Sequence, residues 1–296
     1  MKKNPYTYIV LAGIFWSTQG TLGKLLGNGL TPFQIAFSRV FIGFVLILAL
    51  TLVNHRDEIK IDGEGMFKIA AMGIFCQGVN SICFFYSVSK ISVAAATALM
   101  YTGPIFAVIV SRFVFSEKIT KLKGIALVVS SVSCFLVVTK GDIGVFYGSM
   151  AGILAGTCSG FAFGVNGIIG KLLMRRYNSW VVLMYAFGFA SLFMLPFCSP
   201  VELLGKFSNF NLMAGVTLLG ITTSFLAFGS YFMGIDKGAL PSKAGIVSTI
   251  EIAIAVMLAY IVFREPIGVI RLLGIVGIFA GMYILYLDSR NMSIEV

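Results

Sequence analysis

The chain has 296 residues, 58% of them hydrophobic and 11% charged, with a formal net charge of +10. A soluble globular domain carries about 25% charged residues, so this composition excludes a water-soluble protein with one large core. The apolar residues come in long unbroken runs that do not alternate with polar ones, which excludes a membrane β-barrel.

Ten runs are long enough to cross a bilayer as helices, which satisfy their own backbone hydrogen bonds in lipid. The first, 6–27, carries Trp16, Gln19 and Lys24; it lacks a small-residue cleavage site and is expected to be a retained helix. The second, 32–53, holds Arg39. In the third, 66–88, the residues Gln77, Asn80, Ser81 and Phe84 recur at spacings of three and four and share one face. The fourth, 92–115, contains Thr97, Tyr101 and Pro104, the last of which removes a backbone hydrogen bond and is expected to kink the helix. The fifth covers 121–139. The sixth, 146–173, holds Asn166 and belongs to a stretch with glycine at 144, 148, 152, 156, 160 and 164, a spacing that permits close helix approach. The seventh, 179–198, opens near Trp180, and the eighth, 210–235, includes Thr222–Ser224. The ninth, 240–263, contains Ser248 and Glu251, and the tenth covers 268–287. The longest link, 54–65, is too short for a soluble domain.

The basic excess is a topology signal, not a nucleic-acid signal. With the N-terminus in the cytoplasm, fourteen Lys and Arg fall on the cytoplasmic side and five outside; the other three, Lys24, Arg39 and Arg112, lie within or at the ends of helices. This bias predicts cytoplasmic termini. The expected location is the cytoplasmic (inner) membrane of a prokaryote. The five cysteines, Cys76, Cys83, Cys134, Cys158 and Cys198, all lie in predicted helices without a CxxC pair, and His55 is the only histidine. Neither a metal site nor a cofactor is expected. HExxH, GxSxG and P-loop motifs are absent, so the chain does not read as an enzyme and ATP is not its direct energy source.

The chain repeats itself. QGTLGKLL at 19–26 returns as NGIIGKLL at 166–173, and FVFSEK at 113–118 returns as YIVFRE at 260–265. Helices one to five therefore correspond to six to ten, giving repeats over 1–142 and 143–296 that together form one transport domain. Because five is odd, the second repeat enters the membrane in the opposite sense to the first. Inverted repeats are typical of secondary transporters, in which one central site is exposed to each side in turn.

The chain resembles the ten-helix EamA-type members of the drug/metabolite transporter superfamily over essentially its full length. The resemblance rests on FWSTQGTLGK at 15–24, SRVFIGFVLILAL from Ser38, TGPIFAVIVSRFVFSEK at 102–118 and TIEIAIAVMLAYIVFRE at 249–265. The last two are similar to a family motif close to LEP followed by an acid. Here that motif is divided between Gly103-Pro104 in the first half and Glu251-Ile252 in the second. The resemblance implies a cavity between the halves lined by helices 1, 3, 4, 6, 8 and 9, and transport of small organic metabolites.

Glu251 is the one acid predicted near mid-membrane, where an ionised side chain costs about 2.5–3.5 kcal/mol on insertion scales. It reads either as a proton-coupling or cation-binding group, or as the fixed partner of Arg39. The cavity candidates are Trp16, Gln19, Gln77, Asn80, Phe84, Tyr101, Asn166 and Ser248, each with helix packing as its alternative. The functional expectation is a secondary transporter, an exporter or exchanger of an amino acid or amine, with proton coupling as an option. A metabolite-binding receptor or scaffold that moves nothing is the alternative. The expected partners are the small-molecule substrate and the lipid bilayer, with the protein a monomer or homodimer.

Overall fold

The computed structural model describes residues 4–91, 93–147 and 149–294. Among them, nine helical spans are long and apolar enough to cross a membrane. They are α2 (Pro32–Asn54), α3 (Gly63–Lys90), α4 (Val93–Phe115), α5 (Lys121–Thr139), α6 (Met150–Met174), α7 (Ser179–Phe197), α8 (Phe210–Asp236), α9 (Pro241–Phe263) and α10 (Val269–Asp288). The first predicted helix is two segments, Pro5–Trp16 and Thr18–Leu26, together called α1. The sixth begins later than predicted: Ile143–Phe146 forms a 3-10 turn that contains Gly144, and Gly148 lies outside the described residues.

Contacts between helix ends establish the alternation of crossings. On the face that carries the N-terminus, the Leu240 amide donates to the Tyr6 hydroxyl at 3.3 Å and Tyr185 donates to the Ile59 carbonyl at 3.2 Å. On the opposite face, Lys24 meets Glu265 at 2.7 Å and Lys206 donates to Gln34 at 3.1 Å. The first half thus starts on one face and finishes on the other, and the second half runs back in the opposite sense. The protein is an all-helical polytopic membrane protein built of two inverted five-helix bundles.

The two halves repeat their irregularities as well as their helices. A π-helical turn occupies Ile74–Val79 in α3 and another occupies Gly220–Leu226 in α8. Helix α4 breaks at Tyr101–Thr102, between Val93–Met100 and Gly103–Phe115, and α9 breaks between Pro241–Val247 and Ile250–Phe263. Pro104 sits in the first turn of the second α4 segment, where its missing N–H leaves no bond unmade. It therefore stands just past a break and does not bend a continuous helix.

Hydroxyl side chains stand at each of the breaks in α1, α4 and α9. Ser17 and Thr18 in α1 donate to the carbonyls of Ile14 and Phe15 at 2.6 and 2.8 Å. Thr102 in α4 donates to Leu99 O at 2.6 Å, while Ser248 and Thr249 in α9 donate to Gly245 O and Ile246 O at 2.9 and 2.7 Å. The Leu99 and Ile246 carbonyls also accept from the Thr102 and Thr249 amides at 3.1 and 3.2 Å, so at these breaks one residue gives both its amide and its hydroxyl to the same carbonyl.

The glycine row of α6 determines where α4 can lie. A Cβ at Gly164 would overlap the Gly103 carbonyl oxygen, and one at Gly156 would stand 2.7 Å from Leu99 Cδ1. Glycine there brings the α6 backbone into direct contact with the α4 break, as small residues do at membrane helix crossings. Gly164→Ala is expected to force the pair apart and lower stability by about 1–3 kcal/mol, measured as a lower thermal midpoint in detergent. The exposed Gly20→Ala, with open space around its Cβ position, serves as the neutral control.

Candidate functional site

The breaks of α4 and α9 meet in the middle of the molecule. Gly245 of α9 packs on Pro104 of α4, leaving 3.4 Å between a Cβ built on the glycine and the proline Cα. Around this crossing lies a small pocket bounded by Trp16, Pro104, Phe163, Asn166, Tyr231 and Ser248 and by the backbones of Gly103, Gly164 and Gly245. Its volume is about 10 Å³, room for roughly one water and no organic solute. Any organic ligand therefore requires the halves to separate.

Trp16 occupies the wall at the α1 break. Its indole packs against Phe228, Tyr231 and Phe163 with ring centroids 5.0, 5.4 and 6.2 Å away. Its Nε1–H donates to the Thr223 carbonyl at 3.1 Å, inside the π-helical turn of α8. Such a turn widens the backbone ladder, and Trp16 uses one of its carbonyls to satisfy a buried donor. Asn166 is 4% exposed and its Oδ1 has no hydrogen-bond partner. A buried acceptor without a partner costs about 1–3 kcal/mol, and here it borders a cavity.

Glu251 stands one turn along α9 from Ser248, in the first turn of the segment Ile250–Phe263. A carboxylate there faces the positive end of a helix dipole. The Tyr101 hydroxyl, brought in by the α4 break, stands beside the Glu251 carboxyl. Arg39 is within electrostatic range, but among the described residues the two form no ion pair. The Arg39 guanidinium instead donates to Gln19 Oε1 at 3.2 Å.

Of the eight predicted cavity residues, Trp16, Asn166 and Ser248 line the pocket and Tyr101 adjoins Glu251. Gln19 holds Arg39. The polar stripe of α3 lies elsewhere. Asn80 accepts from Ser159 of α6 at 2.6 Å and donates to Cys76 O, Gln77 is buried at 4% exposure, and Phe84 stacks edge-on with Phe85. Asn80 thus joins two helices. Tyr231 and Phe163 escaped sequence reading because nothing distinguishes them among 27 phenylalanines and 11 tyrosines.

A second charged centre was also missed. On the N-terminal face Lys123 pairs with Glu117 at 2.9 Å and Lys243 with Asp288 at 2.8 Å, all four side chains less than a tenth exposed. Ser242 donates to Glu117 and Thr120 to Asp288. Each of these acids looks like an ordinary helix-end charge in sequence. Tertiary packing buries them together.

Comparison with known proteins bears on the family and the fold. The model of the EamA-like transporter family matches residues 4–139 and again 150–287. An uncharacterized transporter of Clostridium kluyveri is 24% identical, covering 98% of this chain and 95% of its own. An uncharacterized inner membrane transporter of Salmonella typhimurium, YicL, is 23% identical over 96% of this chain and 95% of its own. A solved crystal structure superposes with a TM-score of 0.82 over 99% of both chains at 17% identity, a likeness of fold. The chain belongs to the EamA-like transporter family.

Asn166→Leu removes the unpartnered acceptor. The thermal midpoint of the free protein is expected to stay equal or rise by up to about 4 °C, while stabilisation by a bound solute is lost. A fall in the midpoint of the free protein would mean that Asn166 is a structural group.

Proposed function

We propose that this EamA-like transporter is a secondary-active carrier that moves a small organic solute, an amino acid or amine, by alternating access. The observation that carries the reading is the unequal pairing of equivalent residues at the two faces. Lys24 and Lys171 end the same repeated segment, and Phe263 to Glu265 repeats Phe115 to Glu117. On the face opposite the N-terminus, Lys24 binds Glu265 at 2.7 Å and stands 4.2 Å from the centre of the Phe263 ring. The Lys24 ammonium holds the Glu265 carboxyl below its ordinary range. On the N-terminal face, Lys171 keeps the ring contact, 5.2 Å from the centre of Phe115, while Glu117 is taken by Lys123 and Ser242. One latch is closed and its counterpart is undone. Two inverted halves that exchange conformations would open the first and close the second.

The pocket suits a solute with an apolar body and an amino group. Trp16, Phe163 and Tyr231 line it with aromatic rings, which attract cations as well as apolar groups, Asn166 offers a free carbonyl, and Glu251, one turn along α9 from Ser248, supplies a carboxyl group. When no ammonium is present, Glu251 can take up a proton instead, which would couple solute movement to the proton gradient. One charge crossing 100 mV supplies about 2.3 kcal/mol.

A thermal-shift screen of amino acids and amines identifies the solute, and counterflow in proteoliposomes then tests the carrier. Glu251→Gln is expected to cut counterflow by roughly ten- to a hundred-fold, the loss of one charge-assisted contact, with the thermal midpoint preserved. Unchanged counterflow would remove Glu251 from the mechanism, and binding without counterflow would make the protein a receptor. Lys24→Gln is expected to release the closed face. In a cysteine-free background, a membrane-impermeant maleimide should label Leu22→Cys up to about fivefold faster, the scale of a surface ion pair. Lys171→Gln, which removes the latch of the other state, should lower that rate or leave it unchanged, and should not raise it.

A further inference from the structure

The break at Ser17 has a consequence away from the pocket. It allows Thr18–Leu26 to lean on α8, where Leu26 fills the space over Gly215 and Leu212 covers Gly29. Helix α6 runs unbroken from Met150 to Met174, and at its equivalent end Tyr177, just beyond it, packs on Gly65 of α3. Between α3 and α6 lies a groove of about 620 Å³, within the size range of small-molecule sites.

This groove is separate from the central pocket. On α6 the groove is lined from Ile169 onward and the pocket by Phe163, Gly164 and Asn166, so the two lie one after the other along the helix and no residue lines both. Its wall is apolar, formed by Phe67, Met72 and Phe75 of α3 with Ile169 and Leu172 of α6. Phe67 is 75% exposed and Leu172 40%, on helices that span the membrane. From Phe67 to Phe75 the wall runs about 12 Å along the helix axis, at 1.5 Å per residue.

The rim carries Lys68, Arg175 and Arg176 against a single lining acid, Glu64. Lys68 pairs with Glu64 at 2.5 Å and Arg176 with Asp62 at 3.5 Å, and most of these side chains are more than half exposed. Exposed pairs of this kind contribute little and exchange readily. Arg175 lies 5.4 Å over the Phe115 ring and has no ion pair among the described residues. An apolar slot inside the span, topped by a basic rim where the helices emerge, matches the two ends of an anionic lipid. The planar guanidinium groups suit a phosphate in particular.

We propose that the groove between α3 and α6 binds one anionic phospholipid from the leaflet on the N-terminal face. Its phosphate lies among Arg175, Arg176 and Lys68, and one acyl chain runs along Phe67 to Phe75. The lipid fills the groove and braces the two helices.

The test uses the full-length protein in detergent, titrated with phosphatidylglycerol, phosphatidylcholine or inorganic phosphate, and read by native mass spectrometry and thermal midpoint. Phosphatidylglycerol is expected to bind one per chain and raise the midpoint, with phosphatidylcholine binding more weakly. Arg175→Gln with Arg176→Gln should weaken phosphatidylglycerol binding roughly thirtyfold. Leu172→Trp, which fills the slot but keeps the rim, should also lose it. If the arginine pair fails to fold, Leu172→Trp decides alone. Equal binding of the two lipids, an equal midpoint shift from inorganic phosphate alone, or full binding to Leu172→Trp overturns the proposal.

Discussion

Every peptide group of this chain that lies in the membrane has to find a partner within the protein, because lipid offers none. That constraint shapes the places where the helices are irregular. The breaks in α1, α4 and α9 occur at Ser17-Thr18, Thr102 and Ser248-Thr249, where a short hydroxyl side chain donates to a carbonyl of the preceding turn. The π-helical turn of α8 has one carbonyl occupied by the indole N–H of Trp16. With the irregularities satisfied in this way, three helices can bend toward one point. The pocket exists where their breaks converge.

The same accounting applies to charge. Burying an ion is costly unless it is paired and hydrogen-bonded. Glu117 and Asp288 meet that condition with Lys123 and Lys243, supplemented by the hydroxyls of Ser242 and Thr120. The cluster ties the end of α4 to the starts of α5 and α9 and the end of α10. Glu251 is different. Its neighbours are the Tyr101 hydroxyl and the positive end of its own helix, and Arg39 is held off by Gln19. An acid supported by neutral groups can change its proton or its partner with less loss than one locked in an ion pair. That distinction, more than mid-membrane position, separates it from the other buried acids.

Symmetry and departure from symmetry have different uses here. The π-helical turns of α3 and α8 and the breaks of α4 and α9 recur in both halves. These shared features define the scaffold. The break of α1 has no counterpart in α6, and the ion pair at Lys24 is unmatched at Lys171. These differences pair Lys24 with Glu265 on one face and leave Lys171 over the Phe115 ring on the other.

The sequence by itself determined the membrane class, the ten runs and their inverted repetition, because hydrophobic length and repeat period are local properties that survive without a third dimension. It also put forward Glu251 and eight cavity candidates, of which Trp16, Asn166 and Ser248 line the pocket, since a polar group inside an apolar run is conspicuous in one dimension. Other features were invisible there. Asn80 looked like a cavity residue until Ser159 of α6 was found opposite it. Nothing in one dimension marked Glu117 and Asp288 as buried, and Tyr231 was one aromatic among many. The tertiary structure decided which side chains meet, because burial and pairing depend on what the neighbouring helix presents, and a chain read in one dimension does not contain its neighbours.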